Sequence, residues 1–371
     1  MNDCLIVGGG VIGLSLAYEL VQRGLRICVV DRSEPGQEAS WAGAGILPPG
    51  NLSTATDPLE QLRGLSHQLH ADWAQALRAE TGIDTGYDRC GGLYLSRSAG
   101  EAAALAGLAD MLRSLEIRIE HLSAELLPEL EPALAPLVQS GELKAAYLLP
   151  DEAQLRNPRH LQALLRACRQ RGVEIRSNVE VKELCVRSGR LNQVRTTDGV
   201  LAAEQYCIAA GAWTFQLLNT IGIRTGIMPI RGQIVMFAAD ARPFERILNE
   251  GSRYLVPRMD GRVLVGSTEE EVGFDRQTTE EATQDLGRLA LGLVPCLRNA
   301  KIERCWAGLR PGTFDGLPYL GRIPALENAF VAAGHFRNGL HMSTGTAVVL
   351  GQLIRGESPQ IDLGQFRIGR G

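Results

Sequence analysis

The stretch from Cys4 to Asp31 constrains this chain more than any other. An apolar run, Cys4-Leu5-Ile6-Val7, breaks at Gly8-Gly9-Gly10-Val11-Ile12-Gly13, passes into a helix-like segment from Leu14 to Arg23, and stops at Gly24. A second apolar run, Arg26 to Val30, ends on Asp31. Two such runs around a helical segment read as a βαβ unit. Gly8, Gly10 and Gly13 take the G-x-G-x-x-G spacing, and the acid follows Gly13 by 18 residues. That context turns a weak glycine pattern into a dinucleotide site. Gly8 allows the tight turn, Gly10 lets a pyrophosphate approach the backbone, and Gly13 lets the helix lie close to the strand. Val11 and Ile12 open the helix, whose first N–H groups and dipole favour phosphate. Asp31 can accept hydrogen bonds from a ribose, with Arg32 beside it. FAD and NAD are not separated by this unit.

A chain of 371 residues, 45% hydrophobic and 22% charged, can bury a large core and points to two domains. A net charge of −4 supplies no basic field for nucleic acid or anionic membranes. No apolar run reaches the length of a membrane span, and the N-terminus lacks the marks of a signal peptide. None of the eight cysteines forms C-x-x-C, which suits reduced thiols in a cytoplasmic protein. His67 and His70 stand three apart on a helix-like stretch and read as a surface pair, so no metal is expected.

Residues 32–50 form a long glycine-rich connection, and a loop of that length in a compact domain is usually functional. Helices are expected over 59–81, 101–115, 156–171, 278–293 and 340–353. Alternating segments near Leu255–Pro257 and Arg262–Gly266 predict an antiparallel sheet in the middle of the chain. The strand-like run 205–211 empties onto Ala210, Gly211 and Trp213, a second place where a nucleotide can meet the sheet. Ile302 to Leu309 reads as a strand that ends before Arg310, and Ala329 to Ala333 as the last strand. It runs into Gly334-His335-Phe336-Arg337-Asn338-Gly339, another glycine-bracketed turn. One fingerprint, touched by both ends of the chain, fits the long cofactor FAD.

Four blocks then resemble a known family: Gly8-x-Gly10-x-x-Gly13, Ser40 to Ile46, Trp306 to Thr313, and Ala333 to Leu340. They are similar to the FAD-dependent D-amino-acid oxidase superfamily, and within it to the glycine oxidases of the ThiO type. The resemblance covers essentially the whole chain in order. It implies an α/β architecture of the glutathione-reductase type, with a Rossmann-like FAD-binding domain (1–85, 148–226 and 305–371). An antiparallel-sheet substrate domain (86–147 and 227–304) is interleaved with it. It also implies hydride transfer from the α-carbon of a small amino acid to flavin N5, with O₂ as electron acceptor. Arg310 matches the carboxylate-binding arginine and Tyr254 the tyrosine that donates to the same carboxylate; guanidinium suits that task because it offers two parallel hydrogen bonds and keeps its charge. Arg337 matches a residue near the substrate amine.

The same resemblance places Ser40, Ala42, Gly43, Gly45, Ile46 and Leu47 along the pyrophosphate and flavin. It puts the backbone of Val179 on the adenine. Gly334, His335, Asn338, Gly339 and Leu340 fall against the ring, with a helix N-terminus aimed at the flavin. Ile46, Glu269 and Ser252 depart from a close relative, which puts strict glycine preference in doubt and suggests glycine, sarcosine and small D-amino acids as substrates. No cysteine stands where covalent flavin is attached in related oxidases, so non-covalent FAD is expected. A homo-oligomer, of the size of a tetramer, is implied without a visible interface. A dehydrogenase with another acceptor, a flavin-binding protein without turnover, and an NAD-dependent dehydrogenase stay open as alternatives.

Overall fold

Residues Asn2–Val7 alternate between two cores: Cys4 and Ile6 enter one hydrophobic cluster, Leu5 and Val7 another. A strand buried on both faces in this way belongs inside a parallel sheet. In the computed structural model, which describes residues 1–370, it does. Asn2–Val7 lies between Ile27–Val30 and Ala203–Ile208, parallel to both. Glu174–Arg176, Ala329–Ala333 and the antiparallel edge Tyr319–Arg322 complete six strands. One face is covered by helices Val11–Gln22, Pro58–Thr81, Asn157–Gln170 and Ser343–Ile354; a three-stranded sheet bears on the other through Leu184, Leu191 and Val194. The long helix Pro58–Thr81 is well delimited. Asp57 accepts from Leu59 N and Glu60 N, Pro58 opens the first turn, and Gly82 closes it at φ 72°.

A second sheet has eight strands and is antiparallel except where Ile247–Glu250 runs parallel to Gly92–Ser96. Its edge strand is longer than the sequence suggests. Lys301–Gly312 stays hydrogen-bonded to Met228–Ala238 from Lys301 through Gly312. Arg310 therefore sits inside a strand, opposite Ile230, and not in a loop that follows one. After Gly312 the chain passes from this sheet to the parallel one. Pro311 does not end the strand, because a proline on an edge strand can turn its ring nitrogen away from the ladder.

The histidine reading needs correction. His70 is buried, its Nε2 is 2.7 Å from His341 O, and its ring lies 6.4 Å from His341 and 6.5 Å from His160. The i, i+3 spacing gave no hint, because the partners come from the helix Asn157–Gln170 and from the turn before Ser343. Burial pulls the His70 imidazole down to about 4 and that of His160 to about 3. In the unfolded chain they take protons near pH 6.5. Between pH 6.5 and about 3 the unfolded chain thus binds more protons, so their contribution is complete above pH 6.5 and is lost as pH falls. Replacing His160, whose two ring nitrogens have no partner, by leucine should flatten the decline of Tm between pH 6.5 and 4 by about one proton's worth. Thermal melts across that range check this, and an unaltered slope would contradict it.

Candidate functional site

The turn after Asn2–Val7 is shaped by contacts that admit no Cβ. A methyl on Gly13 would stand 1.9 Å from Gly8 O, and one on Gly8, at φ 110°, 2.3 Å from Ala209 O. Gly13 therefore packs helix on strand and does not itself line the cavity that opens here. That cavity, of about 490 Å³, is lined by Gly8, Gly10, Val11 and Ile12. The helix N-terminus differs from expectation in one respect. Val11 N–H already donates to Ser40 Oγ at 2.9 Å, so the Ser40 hydroxyl stands between the first turn and the cavity. Its hydrogen remains free to donate to an anion.

Asp31 anchors the next wall. It accepts from Gly9 N at 2.7 Å and from Ser33 N at 2.9 Å, while burial raises its carboxyl above the usual aspartate range against those bonds. Val179 N–H is taken by Asp31 O at 2.8 Å, leaving only its carbonyl for a ligand. Arg32 lies 3.5 Å above the Trp213 ring centroid, which is cation–π range, and Trp213 stacks on Phe274 at 5.2 Å. Ala210 and Gly211 continue this end of the cavity.

The connection 32–50 is folded, not loose. It contains a short helix, Ala39–Ala42, and the strand Ile46–Leu47 paired with Ala153–Gln154. Asn157 Nδ2 donates to Ser40 O at 2.8 Å, and a methyl on Gly43 or Gly45 would strike Asn157. Ala42, Gly43, Gly45 and Ile46 face the cavity, whereas Leu47 points into a small core with Ala153 and Leu155.

At the far end, strand register brings Tyr254 opposite Gly266, where a Cβ would come within 2.7 Å of the tyrosine oxygen. Arg310 lies flat over Gly232, where a Cβ would come within 2.2 Å of Nη2. Its Nη1 donates to Thr268 O at 3.0 Å and Nη2 to Ser267 Oγ at 2.6 Å. No acid pairs with it among the described residues, and its accessible side faces the cavity. Burial, with Arg337 nearby, lowers its pKa against the opposing pull of Tyr254 and Glu269. Arg337 donates to Ser252 O at 2.6 Å and to Glu269. Glu269 is exposed and lines no part of the cavity; it holds Arg337 from outside.

The C-terminal turn is tighter than expected. Residues Phe336–Asn338 form a 3-10 turn and the helix begins at Ser343, not at Leu340. His335, Asn338, Gly339 and Leu340 line the cavity; Gly334 lies behind it, against Thr313. The helix N-terminus is not part of the wall, because Leu340 O and Asn338 O already accept from Ser343 N and Met342 N. Three polar wall residues have no motif in the sequence: Glu152, Tyr94 and Asn249. Only sheet register reveals them.

The elongated lining fits a dinucleotide. An acid and an arginine on an aromatic ring mark one end, glycines and a hydroxyl the middle, and an open wall the other. Comparison with known proteins agrees. The DAO family, described as FAD dependent oxidoreductase, matches residues 3–353. Glycine oxidase of Pseudomonas putida is 35% identical over 97% of this chain and 96% of its own length. The bifunctional protein ThiO/ThiG of Synechocystis is 34% identical over 95% of this chain and 51% of its own length. The crystal structure of glycine oxidase from Geobacillus kaustophilus superposes with a TM-score of 0.93 at 32% identity, covering 100% and 99% of the two chains.

A Gly232→Ala variant should displace the Arg310 guanidinium and leave the distant glycine turn untouched. Isothermal titration with acetate as a carboxylate probe should show at least tenfold weaker binding, with FAD content unchanged. Equal acetate affinity would show that the contact is not needed.

Proposed function

The chain belongs to the DAO family of FAD-dependent oxidoreductases and is an FAD-dependent amino-acid oxidase; within that class we propose that it oxidises glycine, with sarcosine and small D-amino acids as further substrates. The observation that carries this reading is Arg310. A guanidinium with no acid partner, facing a cavity beside the Tyr254 hydroxyl, needs an anion. A carboxylate supplies the planar pair of acceptors that guanidinium binds best. The relatives named glycine oxidase support glycine as a substrate, and Ile46 and Tyr254 line the same cavity as Arg310. The relative named ThiO/ThiG supports a place in thiamine biosynthesis, with glycine imine as the useful product.

Bound FAD supplies the two-electron acceptor for the α-carbon hydride. Gly8, Gly10 and Ser40 would hold its pyrophosphate, and Asp31 and Arg32 its adenosine end. The turn Phe336–Asn338 and Ala42 to Ile46 would border the ring. Arg310 and Tyr254 fix the substrate carboxylate, which leaves the α-carbon turned toward the cofactor. No side chain has to take the α-proton as a base, since the amine lone pair assists hydride loss once the ammonium has been deprotonated. We read the parallel sheet, with residues 1–85, 148–226 and the C-terminal segment that carries Tyr319–Arg322 and Ala329–Ala333, as the cofactor part, and O₂ as the acceptor that reoxidises it.

Anaerobic mixing of the yellow protein with glycine should bleach its flavin band, and protein left yellow by glycine, sarcosine and D-alanine would overturn the proposal. The bleaching rate should rise with pH toward the amine pKa; a flat profile would contradict reaction through the neutral amine. Arg310→Met should lower kcat/KM for glycine by about 10²- to 10³-fold, mostly through KM. Glu269→Met should release Arg337 and favour substrates with a second carboxylate, as read from a substrate panel. Identical rankings would remove Glu269 from any role in selection.

A further inference from the structure

The cavity contains a second ionisable group without a counter-ion, opposite in sign to Arg310 when ionised. Glu152 is fully buried, lines the cavity, and has no hydrogen-bond partner at either carboxylate oxygen. It lies over Gly92, where a Cβ would come within 2.3 Å of Oε2, so the sequence keeps open the space that the carboxylate fills. Tyr94 and Asn249 are the polar groups beside it. Asn249 Nδ2 also lacks a partner. Even with both neighbours turned onto it, a carboxylate with about four acceptor sites would keep half of them open. No lysine or arginine pairs with Glu152 among the described residues. Burial pushes its carboxyl up to about 7 against the pull of Tyr94 and Asn249.

Sheet register connects this acid to the proposed carboxylate anchor. Tyr94 stands opposite Asn249, and Asn249 opposite Tyr254, on adjacent strands. Residues directly opposite share a face, so Tyr94, Asn249 and Tyr254 form one polar row along the cavity floor. Two strand spacings, about 10 Å, separate its ends. We infer that Glu152, flanked by Tyr94 and Asn249, is a subsite for a cationic arm on the amino-acid substrate, such as an ammonium carried on an N-substituent or side chain. The inference rests on the reading of Arg310 and Tyr254 as the carboxylate anchor. A zwitterion of matching length then spans the floor, its anion on Arg310 and its cation on Glu152. An ammonium offers three donors and the compensating charge that a buried carboxylate requires. Substrates with a second carboxylate on that arm are disfavoured by the same acid.

The test compares N-(3-aminopropyl)glycine with its neutral isostere N-butylglycine and with N-(2-carboxyethyl)glycine. Binding to the FAD-loaded protein is read anaerobically from the perturbed flavin spectrum, or from KM where turnover occurs. The wild-type protein should bind the aminopropyl compound at least tenfold more tightly than the butyl compound, and the carboxyethyl compound most weakly. Glu152→Gln should abolish the preference, read as the ratio of aminopropyl to butyl affinity; Glu152→Asp, which retains the carboxylate but shortens its reach, should reduce it. Equal binding of the three compounds by wild type, no binding of any, or a preference that survives Glu152→Gln overturns the subsite. If the Gln variant does not fold, the wild-type ranking and the Asp variant decide. Glycine bleaching the flavin without any arm preference rejects the subsite and leaves the oxidase reading intact. Arm preference without bleaching by any amino acid does the reverse.

Discussion

The contact between Gly13 and the Gly8 carbonyl is the constraint on which this molecule is built. A single methyl there would overlap backbone, so the first helix can lie against the first strand only as the sequence stands. That approach sets where the helix N-terminus emerges. Ser40 reaches Val11 N–H from the following connection, and Asp31 reaches Gly9 N–H from the end of the second strand. Asn157 in turn secures the connection through Ser40 O. The cofactor wall is thus a set of backbone groups held by side chains from three separate segments.

The opposite end of the cavity is organised by charge, not by close backbone packing. Arg310 and Glu152 are ionisable groups without a counter-ion, and each lies over a glycine that leaves room for it, Gly232 and Gly92. Buried charge without a partner destabilises a fold unless a ligand completes it. Two such groups of opposite sign along one sheet face make the cavity complementary to a zwitterion. Arg337 is different, because Glu269 and the Ser252 carbonyl already hold it. It stands partly exposed at the rim of the cavity.

Much of the cofactor half was legible because its signals are local. Turn glycines, the following helix and the acid of a βαβ unit must occur within about thirty residues, and they do. The same locality exposed the C-terminal turn and the loop 40–46. Errors arose where a boundary depended on a distant partner. Lys301–Gly312 continues through Arg310 because Met228–Ala238 keeps pairing with it. The helix expected at Leu340 starts at Ser343 because the residues before it form a 3-10 turn. His70 is buried because His160 and His341 arrive from other segments, which no i, i+3 spacing encodes.

The sequence by itself determined a dinucleotide-binding βαβ unit, a glycine-bracketed return of the chain to the same cavity, and the blocks that carry Tyr254 and Arg310. Those depend on short-range backbone requirements, which fix residue types at fixed offsets. Only the tertiary structure decided that Val179 has no free N–H, that Glu269 holds Arg337 from outside the cavity, and that Glu152 faces inward unpaired. Hydrogen-bond partnership and burial are properties of neighbours in space. For these residues the neighbours lie 58 to 148 positions away in the chain, from Tyr94 and Glu152 at the near end to Asp31 and Val179 at the far one.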